Sequence, residues 1–528
     1  MGRDSAIGSL YLFIGKTVST VILAIAVIII GYLLTQTELG LYAVAFIPAT
    51  TILLFQDWGV SSALTRFCAQ CRASGNKEDL RKIIVAGLGF ELATGTVLAL
   101  LSFLIANFLA STVFGKPVAG PLIAIISTTL LSGALLTSTQ SILVGFERMK
   151  LSSLIMLCQA ILFCVLTPSL IFLGYGAFGA VLGYAAALAF AAAIALVLLY
   201  LSIFRKLGNS ASHKSGSTET LKKLLRFGVP LNLGTIIGGV PTQLNSFLMA
   251  SVVGLGMIGN YKISANFAVL LTFFTVPIGT VLFPVFSKLD PRKEMSLLKV
   301  VFDSSVKYML LFLVPGTVGL MVLAGPIIGT IYGDKWAYAP LFLMLSITVN
   351  LYSLSGILSV NNVLMALGET KLLMKISIVE TATGIPLAFL LIPRFGILGL
   401  IIVTLINPFL GTFLELRWAW KHYQIKANFQ ASARIFLASS ISAGITFILL
   451  SVLGSIYWIQ LVAGIAVFLA TFLVAVPLVG ALNKTDISNL RMMFSGFWLV
   501  SKLLEIPLTI IEKIIKISIH EKRQSLPS

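Results

Sequence analysis

Apolar runs of about twenty residues or more, separated by short polar breaks, recur along almost the whole of this 528-residue chain. A helix needs about 20 apolar residues to cross the hydrocarbon of a bilayer, so each run reads as a span. The pattern predicts fourteen helices, over 7–34, 40–66, 83–110, 118–144, 151–173, 177–203, 225–252, 258–286, 300–325, 338–366, 372–392, 396–419, 432–453 and 456–480. The short alternating segments of a membrane barrel are absent. The first run, Ile7 to Leu34, is too long for a signal peptide and lacks a small-residue cleavage site, so it is read as a retained first span. After the last span the pattern changes. Residues 487–519 mix Phe497, Trp498, Leu503, Leu504, Ile506 and Ile511 with Lys502, Glu505, Glu512, Lys513 and Lys516. That mixture predicts one or two amphipathic helices lying on the membrane surface, with Pro507 as a break.

Composition agrees with the pattern. The chain is 58% hydrophobic and 11% charged, against about 25% charged in soluble domains. A formal charge of +18 raises the question of nucleic acid, and the placement of the charge answers it. Odd-numbered connections carry only Lys116, Lys335 and Arg394. Even-numbered ones carry Arg72, Lys77, Arg81 and Lys82; Arg148 and Lys150; Lys288, Arg292, Lys293 and Lys299; Lys371 and Lys375; and Arg417, Lys421, Lys426 and Arg434. The stretch from Arg205 to Arg226 adds six more against a single acid, Glu219, and the tail seven from Lys484 on. Basic residues collect in cytoplasmic loops, so no nucleic-acid partner is implied and both termini are expected in the cytoplasm. The expected location is the cytoplasmic membrane of a prokaryote. Cys68, Cys71, Cys158 and Cys164 lie in or beside spans and read as buried thiols; Cys68 and Cys71 form one isolated CxxC, and no metal is expected.

Shifted by about 220 residues, the chain matches itself in order. Gly40-x-Tyr42 meets Gly259-x-Tyr261, and Phe114-Gly115 with Pro121 meets Tyr332-Gly333 with Pro340. Gly145, Glu147 and Lys150 fall beside Gly368, Glu369 and Lys371, and Gly176 and Gly179 beside Gly396 and Gly399. Six spans per repeat is an even number, so both repeats enter from the same side and an axis along the membrane normal relates them. The expected organisation is an all-α polytopic membrane protein with two pseudo-symmetric six-helix lobes. These are 1–204 and 227–426, joined by a basic cytoplasmic linker, 205–226, and followed by two extra helices, 427–484, and an amphipathic tail, 485–528.

Charge inside a span costs about 2.5–3.5 kcal/mol on insertion scales, so it should meet a partner or water. Lys16, Asp57 and Glu91 lie at similar depths in the first three spans, which permits a mutually paired cluster. Lys307 and Glu380 lie at similar depth in spans 9 and 11, and Lys307 has Asp303 one turn earlier. For these acids and for Lys307 an ion-coupling role and a structural ion pair both remain open. Lys262 sits just inside the opposite surface, where a long side chain can snorkel, and Arg66 ends span 2 as an anchor or a headgroup contact. Span 7 collects Asn232, Gln243 and Asn245 with Gly234, Gly238, Gly239 and Pro241, which suits either interhelical hydrogen bonds or a bendable polar lining. No GxxxxGK[ST] loop, HExxH or Ser/His/Asp set is present, and His213, His422 and His520 lie in loops or the tail. Neither an ATP-driven pump in one chain nor an enzyme is indicated, and no cofactor is expected.

Glu38-Leu-Gly-Leu-Tyr42, Asp57-Trp-Gly59 with Arg66, the turn Gly145-Phe-Glu-Arg-Met-Lys150, Gly259-Asn-Tyr261 and Phe283-Pro284 together resemble one known family. It is the polysaccharide-exporter branch of the multidrug/oligosaccharidyl-lipid/polysaccharide (MOP) flippase superfamily, which includes O-antigen-unit flippases and the lipid II flippase. The resemblance covers about residues 7–480. It implies two lobes around a central cavity and alternating-access flipping of a polyprenyl-linked oligosaccharide for surface glycan synthesis. Such transport is driven by an ion gradient, H+ or Na+, or by membrane potential, with membrane lipid and glycan-assembly proteins as partners. It also implies cationic side chains for the lipid pyrophosphate, for which Lys16, Arg66 and Lys262 are the candidates, with Gln243 and Asn245 as polar companions. Related sequences often carry Asp where this chain has Asn245, which puts ion coupling at that position in doubt. Two other readings stay open. A cation-coupled multidrug exporter of the same superfamily would use Asp57, Glu91 and Glu380, and a membrane-embedded glycosyltransferase or polymerase would need a catalytic constellation.

Overall fold

A computed structural model describes residues 2–207, 217–271, 286–288, 294–426, 429–454, 456–494, 502 and 505–515. The middle of the basic linker with Lys214, the Phe283-Pro284 pair, Trp498 and the last residues of the tail lie outside that set. The described residues are helical almost throughout, and none of them is in a strand. They divide into two compact units, Met1–Lys262 with Thr381–Leu400, and Ile263–Glu380 with Ile401–Ser528.

In the first unit the helices are α1 (Gly2–Leu33), α2 (Gln36–Leu53), α3 (Val60–Ala73), α4 (Lys77–Phe108), α5 (Gly120–Gly145), α6 (Met149–Leu170), α7 (Gly176–Ser202) and α8 (Ser217–Val252). The first turns of α9 (Leu255–Ala268) belong with them. Packing follows small residues, as it must where hydrocarbon offers apolar side chains no preference between lipid and protein. Gly15 brings α1 against Ser153 of α6, whose hydroxyl donates to the Tyr11 carbonyl at 2.7 Å. Gly183 brings α7 against the Thr167 backbone of α6, and Gly95 brings α4 against α5 at Leu131. Away from these seams large apolar side chains such as Phe172, Leu104 and Phe103 are exposed, the surface a bilayer would cover.

The second unit contains α10 (Met295–Val322), α11 (Ala324–Tyr332), α12 (Ala339–Ile347), α13 (Ile357–Ala366), the first part of α14 (Thr370–Phe395), most of α15 (Ile397–Tyr423), α16 (Phe429–Val452), α17 (Tyr457–Leu478) and α18 (Lys484–Phe494). Its core runs from Phe302, Leu310 and Val314 of α10 through Phe468 and Val476 of α17.

Among the described residues ten stretches are long and apolar enough to cross a membrane, or eleven with a bent pair taken as one. The fourteen expected spans differ from these for four reasons. Met149–Leu207 contains two expected spans, joined by a π-helical turn and a kink at Gly174 (φ 91°). The expected span over 338–366 is α12, a 3-10 stretch and α13, bent by 60° at Gly356 (φ 80°). The expected span over 40–66 is broken between Leu54 and Gly59, and the one over 258–286 continues past Leu271 into residues outside the described set.

The amphipathic tail forms helices at α18 and at 505–515. Their apolar side chains Ile487, Leu490, Leu508, Ile511 and Ile515 are buried in the core of the second unit. Arg491 holds the two helices together, 3.0 Å from both Glu505 and Glu512. Those two carboxylates, Glu512 first, raise the pKa of Arg491 above its ordinary value. The face expected to lie on lipid is therefore spent largely on protein.

Candidate functional site

The break between α2 and α3 organises the first unit. Trp58 (φ 47°) and Gly59 (φ 77°) both lie in the left-handed region, which ends one helix and starts the next. Asp57 accepts the Ser61 amide at 2.8 Å and so satisfies a free N–H at the start of α3. The Gln56 side chain donates to the Leu130 carbonyl at 2.8 Å, which fixes the break to α5. Gly228 of α8 lies directly on Gly59; a Cβ at either would overlap the other's backbone.

Beside this break stands Glu91 of α4, 1% exposed, with the Asp57 carboxyl as its charged neighbour. Lys16 does not join them. It is exposed on α1, and among the described residues it forms no ion pair. The expected Lys16–Asp57–Glu91 cluster is thus a pair of acids without the lysine. The reason is local: the break re-aims Asp57, and the buried side of α1 at Gly15 and Ser19 is taken up by packing.

Gln243 of α8 accepts from the hydroxyls of Thr50 and Thr51 on α2, at 3.1 and 3.2 Å. Asn245 is half-buried one half-turn further on, and Lys262 is half-buried on α9. Arg66 is exposed on α3 with its guanidinium 4.5 Å from the Phe227 ring centre, while Lys223 lies 4.7 Å from the Phe67 ring. The two rings touch edge to face at 5.7 Å, so two cations share one aromatic pair.

At the ends of the helices away from these basic residues, α2 and α9 are tied together. Asn260, fully buried, donates to Gln36 at 3.2 Å, and Gly40 of α2 lies on the Leu255 backbone of α9. The Lys116 ammonium is bound by the Ala250 carbonyl at the end of α8.

In the second unit Lys307 pairs with Asp486 of α18 at 2.5 Å rather than sharing a site with Glu380. Asp486 is held by a reciprocal cap, accepting the Asn483 amide at 2.8 Å, and Asn489 donates to the Tyr308 hydroxyl at 2.9 Å. Lys307 is thereby a clasp for the tail. Glu380 stands instead close enough to Glu415 of α15 for the two carboxyls to interact. Gly411 makes room for it, since a Cβ there would overlap the Glu380 carboxyl. Glu415 accepts from Asn361 of α13 at 3.2 Å and is 9% exposed. Each unit therefore holds a pair of acids inside its helices. Among the described residues no three His, Cys, Asp or Glu side chains are grouped to hold a metal.

Sequence reasoning missed Glu415 because the polar run Glu415-Leu-Arg417 reads as a helix end, whereas α15 continues to Tyr423. It missed Asp486, Gln36 and Lys116 because each stands in a segment that reads as a loop or tail. The one available signal was Asn483-Lys-Thr-Asp486, a capping pattern that announces a helix start.

The long apolar helices, with acids buried inside both units and cations at the helix ends, make this a multi-pass membrane protein. The chain belongs to the polysaccharide biosynthesis protein family, whose profile matches residues 5–290, and so to the flippase superfamily that its loop motifs resemble. It is 29% identical over 199 residues to the lipopolysaccharide biosynthesis protein WzxC of Escherichia coli (strain K12), covering 37% of this chain and 40% of that protein. It is 20% identical over 285 residues to the probable low-salt glycan biosynthesis flippase Agl15 of Haloferax volcanii, covering 53% of this chain and 59% of the relative. The matched stretches thus span about half the length of these relatives. In three dimensions the lipid II flippase MurJ in an inward closed conformation superposes with a TM-score of 0.66 at 18% identity, over 88% of this chain and 98% of the other. That likeness is one of fold.

Proposed function

We propose that this protein carries a polyprenyl-linked oligosaccharide across the cytoplasmic membrane by alternating access, as a transporter and not as an enzyme. The observation that carries the reading is the family match over residues 5–290, which contains the whole arrangement of Arg66, Asp57, Glu91 and Gln243. Arg66 and Lys223, both exposed and backed by aromatic rings, suit the phosphate or diphosphate of the lipid carrier, since guanidinium binds phosphate oxygens in pairs. Lys16, Lys262 and Asn245 are assigned as further contacts along the path of the headgroup. The acid pairs, Asp57 with Glu91 and Glu380 with Glu415, are assigned to the coupling ion, H+ or Na+; adjacent carboxyls bind a cation or proton more readily than either alone.

The charge asymmetry of the loops supports placing both termini and the linker in the cytoplasm. The internal repeat supports two six-helix lobes, 1–204 and 227–426, moving about the linker 205–226, with 427–484 and the tail outside the repeat. The Gln36–Asn260 and Lys116–Ala250 contacts then form an outer gate that opens in the other half of the cycle.

The test is reconstitution of the purified chain into vesicles with a fluorescent polyprenyl-diphospho-sugar, with leaflet accessibility followed over time. Faster equilibration than in protein-free vesicles, lost in Arg66→Ala and reduced in Lys16→Ala, is the expected result. Equal rates with and without protein overturn it. Proton-coupled uptake of organic cations in place of lipid movement would favour the multidrug reading, and transfer of the sugar to an acceptor the glycosyltransferase reading.

A further inference from the structure

Outside the two acid pairs, the second unit carries a basic ridge on the outer side of its helices. Arg417 and Lys421, one turn apart on α15, line two separate troughs. The wider, about 910 Å³, lies toward α16 and is walled by Phe413, Trp420 and Phe429, with Lys426 at its rim. The narrower, about 260 Å³, lies toward α14 and is walled by Leu372, Ile376 and Val379, with Lys375 at its rim. Arg417, Lys421, Lys426 and Lys375 are all exposed, and among the described residues none of them forms an ion pair.

The acids that could neutralise the ridge are engaged elsewhere. Glu415 is held by Asn361, and Glu369 accepts the Tyr423 hydroxyl at 2.6 Å. Trp418, in the wall of the narrower trough, has a buried indole N–H with no acceptor. Lys426 rests over the Trp420 ring at 5.5 Å, a cation–ring contact between two residue types that favour membrane interfaces.

We infer that this ridge is a binding site for an anionic glycerophospholipid, its phosphate on Arg417 and Lys421 and its acyl chains in the troughs on either side. Charge complementarity selects the anionic class. Four unneutralised cations attract a phosphodiester with net negative charge, and a zwitterionic headgroup brings its own cation into the same place. Trough shape selects a lipid over free phosphate, because the walls are apolar where the ridge is basic. Neither Glu380 nor Glu415 lines the troughs, and the site would tether the second unit to the leaflet at the basic ends of the helices.

The purified full chain, delipidated in mild detergent, is titrated with phosphatidylglycerol and phosphatidylcholine of matched chains, and bound lipid is counted by native mass spectrometry. Arg417→Gln with Lys421→Gln should weaken phosphatidylglycerol binding about thirty-fold, at about 1 kcal/mol per cation. The same pair should leave phosphatidylcholine binding unchanged. The double variant Lys288→Gln with Lys299→Gln removes the same charge elsewhere in the unit and should bind like the parent. Equal weakening by that control, equal affinity of the parent for both lipids, or displacement of phosphatidylglycerol by millimolar inorganic phosphate alone would each overturn the site. So would a parent chain that dimerises through this face when lipid-free. If the Arg417/Lys421 variant does not fold, Phe413→Ala with Phe429→Ala replaces it and should weaken the anionic lipid while leaving the basic ridge in place.

Discussion

Asp57 and Glu91 are acids placed side by side within a helical bundle, and Glu380 and Glu415 repeat the arrangement in the second unit. Such a pair is costly unless something cationic visits it, so its replacement should separate coupling from binding. Glu91→Gln is expected to fold and to bind the lipid-linked sugar while losing the dependence of its flipping on an imposed ion gradient. The lost factor should be about 5–150-fold, the usual size of such coupling. Comparison of flipping with and without a gradient checks it, and an unaltered gradient response would make the pair structural. Lys307 belongs to a different logic. Its ammonium and the Asp486 carboxylate are only 20% and 10% exposed, so Asp486→Asn strands a cation and should cost about 3 kcal/mol. Lys307→Met combined with Asp486→Leu should recover most of that loss in thermal unfolding. Recovery by the double variant is the signature of a clasp; a sum of two losses would contradict it.

At the scale of elements, the break between α2 and α3 decides what α8 can do. Gly59 is needed twice, for its left-handed backbone (φ 77°) and for the Gly228 carbonyl that lies on it. Gly75 has nearly the same backbone angle (φ 72°) with nothing within 4 Å. Gly75→Ala should therefore cost only the backbone term, about 1 kcal/mol, and Gly59→Ala clearly more. Unfolding temperatures of the two variants give the contact contribution by difference. Equal losses would mean that α8 does not rest on the break. The opposite end of α2 is joined to α9 by Gln36 and Asn260, and the lost hydrogen bond should be felt as a shift of the gate. Asn260→Ala should raise labelling of a cysteine placed at Leu255 by a membrane-impermeant reagent from the non-basic side. Unchanged labelling would remove the gate assignment. These elements were legible in part. Helix existence followed from apolar runs, but span 2 looks continuous because Leu53, Phe55, Trp58 and Val60 keep it apolar through the break. Only the Asp57-Trp-Gly59 sequence hints at a cap and a turn there.

For the whole molecule, the asymmetry of the loops and the repeat at about 220 residues lead to one expectation, a two-lobed transporter with its linker inside the cell. Reagents that cannot cross the membrane should fail to label a cysteine placed at Lys214 in intact cells, and ready labelling would reverse the orientation. The loop glycines aligned by the repeat share a backbone conformation, Gly115 (φ 62°) with Gly333 (φ 63°) and Gly176 (φ 50°) with Gly396 (φ 58°). Their positive angles are what a chain without a Cβ allows, and they are why these positions stood out in the sequence at all.

Membrane class and the family resemblance were readable from the amino-acid order, because hydrocarbon acts on each apolar run separately; how many of the runs form unbroken spans was not. Which charges meet was not. Lys16 with Asp57 and Glu91, and Lys307 with Glu380, share depth along their helices, but depth is one coordinate and a contact needs three. The tertiary structure placed Asp57 in a turn, left Lys16 exposed, gave Lys307 to Asp486 and paired Glu380 with Glu415, because rotation about each helix axis and the kinks at Gly59 and Gly356 are set by neighbours far away in the chain.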